Sequence, residues 1–199
     1  MRRRAEQVGR TRQRIVEAAV HLHGTAGPAA TTIAAIAERA GVTRLTVYRH
    51  FPDEAALFAA CSAHWMSGRR PPDPGEWARI ADPAERLRAG LADLYRFYRD
   101  GAGMLANVYR DLAVLPPAQR RMLRERDDAV RRALAGPLGG ARSRRVRAAV
   151  GHAAAFWTWH SLCAEQGLTD REAVTLMTAM VLSAAARPAP ARPGQATAR

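Results

Sequence analysis

Residues 32–51 read Thr-Ile-Ala-Ala-Ile-Ala-Glu-Arg-Ala-Gly-Val-Thr-Arg-Leu-Thr-Val-Tyr-Arg-His-Phe, the pattern of two short helices joined by a sharp turn. Thr32 suits an N-cap, because its hydroxyl accepts from the unpaired amides of a first turn. Ile33, Ile36 and Ala37 then fall at i, i+3 and i+4 and lay an apolar stripe along one helical face. The small Ala37 lets a second helix cross closely. Gly41 is placed to take the left-handed conformation that ends a helix, and Thr43 is placed to cap the next one. In that second helix Val47 turns inward, with Val42 and Phe51 beside it. Thr43, Arg44, Leu45, Thr46, Tyr48, Arg49 and His50 are left facing outward. A short outward face of donors with one aliphatic side chain fits the major groove of double-stranded DNA.

Outward from this hairpin the chain reads as all-α. A first helix is expected near Arg10–Gly24, with Ile15, Ala18, Ala19 and Leu22 inward, and residues 1–9 read as a mobile basic arm. Pro52 suits the first turn of a fourth helix, which continues through Leu57, Cys61 and Trp65 as a connector over residues 52–69. The Pro- and Gly-rich stretch 70–75 interrupts the helices. Leu87, Leu91, Leu94 and Tyr98 then share one helical face, and Gly101 and Gly103 break it before a shorter helix through Met104, Leu105, Val108, Tyr109 and Leu112. Pro116-Pro117 opens a helix carrying Met122, Leu123, Val130 and Leu134 among many arginines. One continuous helix is expected over residues 142–165, and Thr169 with Glu172 forms a capping box for the last helix. Residues 10–51 thus form a helix-turn-helix domain, residues 70–186 a second helical domain, and residues 187–199 a Pro- and Ala-rich disordered tail.

The stretch from Arg10 to about Trp65 resembles the DNA-binding domain of the tetracycline-repressor (TetR) family of bacterial regulators. Ile15-Val16-Glu17-Ala18-Ala19 is similar to that family's first helix, and Tyr48-Arg49-His50-Phe51-Pro52 to its aromatic signature. Leu57 and Phe58 are similar to the apolar start of its helix four. The resemblance implies that Thr43, Arg44 and Leu45 meet base edges and that Thr32, Thr46, Tyr48 and His50 hold phosphates. Three positions depart from the pattern. Glu54 and Ala34 stand where the family places cations against phosphate, so those contacts are not carried over. His23 stands where an apolar aromatic fills the small core, and a packed, hydrogen-bonded imidazole is expected there.

From about Trp77 to Ala186 the resemblance rests on helical rhythm, and it implies a ligand-binding and dimerisation domain. A two-fold homodimer also follows from the DNA side, since two short recognition helices about 34–36 Å apart reach successive major grooves of a pseudo-palindromic operator. The expected dimer face comprises Ala149, Ala153, Phe156 and Trp157 with Val174, Met177, Met180 and Val181. A second apolar set gathers Trp65, Leu94, Phe97, Tyr98, Met104, Leu105, Val108 and Tyr109, faced by Phe156 and His160. Apolar walls with a few polar tips suit an unidentified small apolar or aromatic ligand. A DNA-binding dimer without ligand control, whether an architectural or a constitutive protein, is the alternative.

Composition bounds the rest. The chain has 199 residues, with 31 Arg and Lys against 18 Asp and Glu, a formal net charge of +13. Every cation is Arg. Such a charge favours polyanionic partners, nucleic acid first. No signal-peptide core and no apolar run of spanning length occurs, so a cytoplasmic protein with no membrane partner is expected. Cys61 and Cys163 stand in no metal-ligand spacing, and the six histidines form no metal-binding pair. Without a phosphate loop, nucleophile elbow or paired carboxylates, neither an enzyme nor a cofactor is indicated.

Overall fold

The computed structural model describes residues 2–140 and 142–186, and the expected C-terminal tail lies outside them. Eleven α-helices occur among the described residues, without a strand. They are α1 (Arg2–Thr25), α2 (Ile33–Ala40), α3 (Arg44–His50), α4 (Glu54–Ser67), α5 (Pro74–Ala78), α6 (Pro83–Asp100), α7 (Ala102–Arg110), α8 (Pro117–Ala135), α9 (Arg144–Ala153), α10 (Phe156–Trp159) and α11 (Asp170–Ala186). None of the described helices is long and apolar enough to cross a membrane. Packing divides the chain into two units: residues up to Pro72 with Arg96–Asp128, and Asp73–Tyr95 with residues from Ala129 onward. The division cuts through α6 and α8, so it differs from the contiguous domains read along the sequence.

In the first unit α1 supplies Ile15, Val16, Ala18 and Ala19, all buried, and α2, α3 and α4 close over them with Ile36, Ala37, Val47, Phe51, Leu57 and Cys61. Sequence and structure agree on the local devices. The Thr32 hydroxyl accepts from the Ala35 amide at 3.1 Å, and the Thr43 hydroxyl accepts from the Thr46 amide at 3.2 Å. Gly41 sits at φ 63°, and the Val42 amide closes the turn on the Ala37 carbonyl at 2.9 Å. Two helix starts differ from expectation. Residues 5–9 continue α1 rather than forming an arm, since they contain good helix formers and no proline. At α4 it is Asp53, not Pro52, that sets the start, its carboxylate accepting from the Ala56 amide at 2.7 Å.

A polar clamp ties α7 to the end of α1. The Asn107 amide donates to the His23 and Gly24 carbonyls, both at 3.0 Å, and Arg110 donates to the Ala26 carbonyl at 3.1 Å. These carbonyls have lost their helical partners and need donors. Asp111 accepts from Arg110 at 2.8 and 3.0 Å and from the Ala29 amide at 3.0 Å. The hydrogen bond from Arg110 holds the Asp111 carboxyl below its ordinary pKa. Gly27, at φ 94°, lies against this ion pair, where a Cβ would overlap both Arg110 and Asp111.

In the second unit Leu87, Leu91 and Leu94 of α6 are buried as their spacing requires, with Tyr95 beside them. The single helix expected over residues 142–165 is broken. The end of α9 at Ala153, the short α10 and one π-helical turn, His160–Glu165, replace it. No proline stands at the break, although Gly151 lies in the last turn of α9. Its Ala153 carbonyl is taken by the buried Tyr95 hydroxyl at 2.8 Å, a partner 58 residues away. Thr169 and Glu172 form the expected capping box, the Thr169 amide donating to the Glu172 carboxylate at 2.8 Å.

His23 is buried and stacked on Phe58 with ring centroids 5.2 Å apart. Desolvation pushes its pKa down from 6.5 to about 4. Between those values the unfolded chain takes up a proton that the folded chain refuses, so stability falls with falling pH. His23 therefore contributes a loss of about 2–3 kcal/mol as pH drops from 7 to 4. Urea unfolding at both pH values should show that loss shrink in His23→Phe, while an unchanged pH dependence would rule out His23 as its source.

Candidate nucleic-acid interface and ligand cavity

Only Val47 of the seven α3 residues is buried. Leu45 is 68% and Tyr48 50% exposed, high values for such side chains. Thr43, Arg44 and Arg49 are exposed as well, with Thr46 and His50 half-buried. The Thr46 hydroxyl accepts from Arg49 and pairs with the Thr43 hydroxyl, each at 3.0 Å, so part of this face is ordered before any ligand arrives. The structure brings together all eight residues expected at the DNA surface, with Thr32 capping α2 beside α3. Helix α1 adds cations. Arg12 and Arg14 are exposed, Arg12 lying over the Phe51 ring at 4.9 Å. Exposed donors, cations and one aliphatic side chain on a short capped helix match what groove and phosphate contacts require.

Within the first unit α1, α4, α7 and α8 line a partly open cavity of about 80 Å³. Trp65, Met104, Leu105 and Val108 line it, as expected from the sequence. Phe97, Tyr98 and Tyr109 do not. Phe97 packs edge-on against Trp65 at 5.9 Å, Tyr98 is buried, and the Tyr109 hydroxyl is spent on Asp127 at 3.2 Å. Leu94, Phe156 and His160 belong to the second unit, where Leu94 and Phe156 are core and His160 sits against Phe156, Trp157 and Trp159. The sequence reading missed Val20, His23, Phe58 and Met66 in the cavity wall, and missed Gln119, Met122, Leu123 and Arg126 of α8. Those four fall at i, i+3, i+4 and i+7, a visible stripe obscured by the surrounding arginines.

The expected dimer face also changes. Ala153, Phe156, Val174, Met177 and Val181 are closed off inside the protomer, because a stripe facing the core has the same spacing as one facing a partner. Trp157 at 47% and Leu176 at 48% stand exposed, with Ala149 and Met180 partly so. Leu176 is absent from the expected set, though its place one residue before Met177 puts it on the next face of α11.

Residues 15–61 match the model of the bacterial regulatory proteins of the tetR family. The HTH-type transcriptional regulator TtgR of Pseudomonas putida is 47% identical over 60 residues, a segment covering 30% of this chain and 29% of that relative. The similarity thus spans less than a third of the curated relative's length. Beyond it the likeness is one of fold. A TetR-family transcriptional regulator from Thermus thermophilus, PfmR, superposes with a TM-score of 0.62 at 19% identity, over 85% of this chain and 97% of that one. A TetR-like regulator from a Rhodococcus species gives 0.61 at 20% identity, over 86% and 93%. Residues 15–61 thus carry the amino-terminal segment of the tetR family of bacterial regulatory proteins, and the helical remainder shares the fold of these TetR-like structures.

Proposed function

We propose that this chain is a homodimeric DNA-binding transcriptional regulator that reads a pseudo-palindromic operator through α3 and is released from it by a small ligand held in the α1–α4–α7–α8 cavity. The observation that carries the reading is α3 itself, a capped helix that buries one side chain and leaves the rest outward. Arg44 and Leu45 meet base edges, while Tyr48, His50, Thr32 and the α1 arginines position the protein on phosphates. The protein works in the cytoplasm, where its duplex partner is.

Dimerisation uses the outer faces of α9, α10 and α11, through Ala149, Trp157, Leu176 and Met180. An aromatic side chain left 47% exposed and a half-exposed leucine suit a partner surface better than water. Release begins at α7. Met104 and Val108 face the cavity, and Asn107, Arg110 and Asp111 hold the end of α1 and the turn before Thr32. Displacing α7 therefore moves the segment that leads into the recognition hairpin. Such coupling requires that the ligand bind the released state more tightly, and operator must weaken ligand binding by the same factor.

The small cavity favours a second reading, a constitutive DNA-binding dimer. Under it no compound changes operator affinity, whereas ligand control predicts roughly a 5- to 150-fold loss.

On an operator selected from random duplexes, Tyr48→Phe should weaken binding to all sequences alike, by about 1–2 kcal/mol. Arg44→Ala should relax discrimination at one base position, since base contacts specify and phosphate contacts position. Gel-shift titrations in which both variants match the wild type would remove α3 from the interface. Trp157→Arg places a charge in an apolar contact and should give monomers with weakened operator binding. Sedimentation showing an intact dimer would exclude this face.

A further inference from the structure

Three features of the cavity bear on what it admits. Its wall is mainly apolar, formed by Phe58, Trp65, Met104 and Val108, with the half-exposed Met122 at its edge. Against that wall lies Gln119, in the first turn of α8. It is 8% exposed, and its Oε1 has no hydrogen-bond partner among the described residues. A buried amide oxygen left unpaired forfeits its hydration without replacement, which is uncommon in a settled core. The third feature is charge balance. Arg126, the one cationic side chain in the lining besides the neutral His23, is already engaged by the Tyr109 hydroxyl at 2.9 Å and by Asp127 at 3.3 Å.

We propose that this cavity takes a small neutral molecule with a compact aromatic body and one hydroxyl, the hydroxyl pairing with the side-chain amide of Gln119. The proposal rests on the ligand control argued above and names its chemistry. A hydroxyl can donate to Oε1, the atom left without a partner. A carboxylate can only accept, and it would enter a site whose cation is already paired. An ammonium would find its carboxylate, Asp127, taken. Size sets the other limit. An apolar cavity of about 150 Å³ holds benzene, so about 80 Å³ calls for no more than one ring. Met66, Met104 and Met122 supply the give, since their unbranched side chains repack at low cost.

Phenol, toluene and benzoate test this by calorimetry on the full chain, because toluene replaces the hydroxyl by a methyl group and benzoate replaces it by a charge. Phenol should bind saturably and about tenfold more tightly than toluene, the worth of one hydrogen bond to a buried amide. Benzoate should not bind detectably. Gln119→Met keeps the side chain's length and should abolish the preference for phenol. Equal affinity for phenol and toluene in the wild type overturns the assignment, and that comparison stands even if the variant does not fold. A phenol preference that survives in Gln119→Met also overturns it, as does the absence of any phenol binding at millimolar concentration. Operator affinity measured in parallel separates the two claims. Phenol binding that leaves operator affinity unchanged supports the site and removes ligand control. Release by toluene as effective as release by phenol keeps ligand control and removes the role of Gln119.

Discussion

A helix of seven residues cannot hold itself together in water. The cost of its first turn is repaid only by propagation or by outside contacts, and isolated helices below about 12–15 residues are marginal. Helix α3 faces this constraint in a severe form, since all but one of its side chains are spent outward. The chain meets it with few means: the Thr43 cap, the Gly41 turn, and Val47 driven into a core shared with Ile36, Ala37, Ile15 and Phe51. Everything behind α3, from the buried face of α1 to the capped start of α4, serves to make that one anchor sufficient.

Much of this was legible in the sequence because the devices are local. Thr32, Gly41, Thr43 and the Thr169–Glu172 box act within four residues of themselves, so spacing alone exposes them. The outward set on α3 followed from Val47 and the helical period. What was not legible depends on distant partners. The break after Ala153 is marked by no proline, and its carbonyl is satisfied by Tyr95 from another helix. The inward stripe of α11 reads equally well as a partner face, since periodicity shows that a face is apolar without showing what covers it. The cavity was anticipated in part, through Trp65, Met104, Leu105 and Val108. The α8 contribution was hidden in a run where arginine dominates the composition.

Charge is distributed with a matching economy. Among the described residues, arginines such as Arg12, Arg14 and Arg44 stand exposed, where water solvates their charge. The more deeply placed Arg126 is matched by Asp127 and Tyr109, and the exposed Arg110 pairs with the buried Asp111. Burial of an unmatched charge is expensive. The interior is thereby kept electrically quiet beneath a strongly cationic surface.

The clamp of Asn107, Arg110 and Asp111 on the end of α1 bears on modularity. It joins positions 82–84 residues apart. Consider a cut at the connector after α4 that separates the amino-terminal hairpin from the rest of the chain. Such a cut here would leave the carbonyls of residues 23, 24 and 26 and the amide of Ala29 without their donors and acceptor. The transplantable piece of this chain is therefore discontinuous in sequence. It is the hairpin together with α7, and a graft that carries the first without the second would deliver a head with a frayed neck.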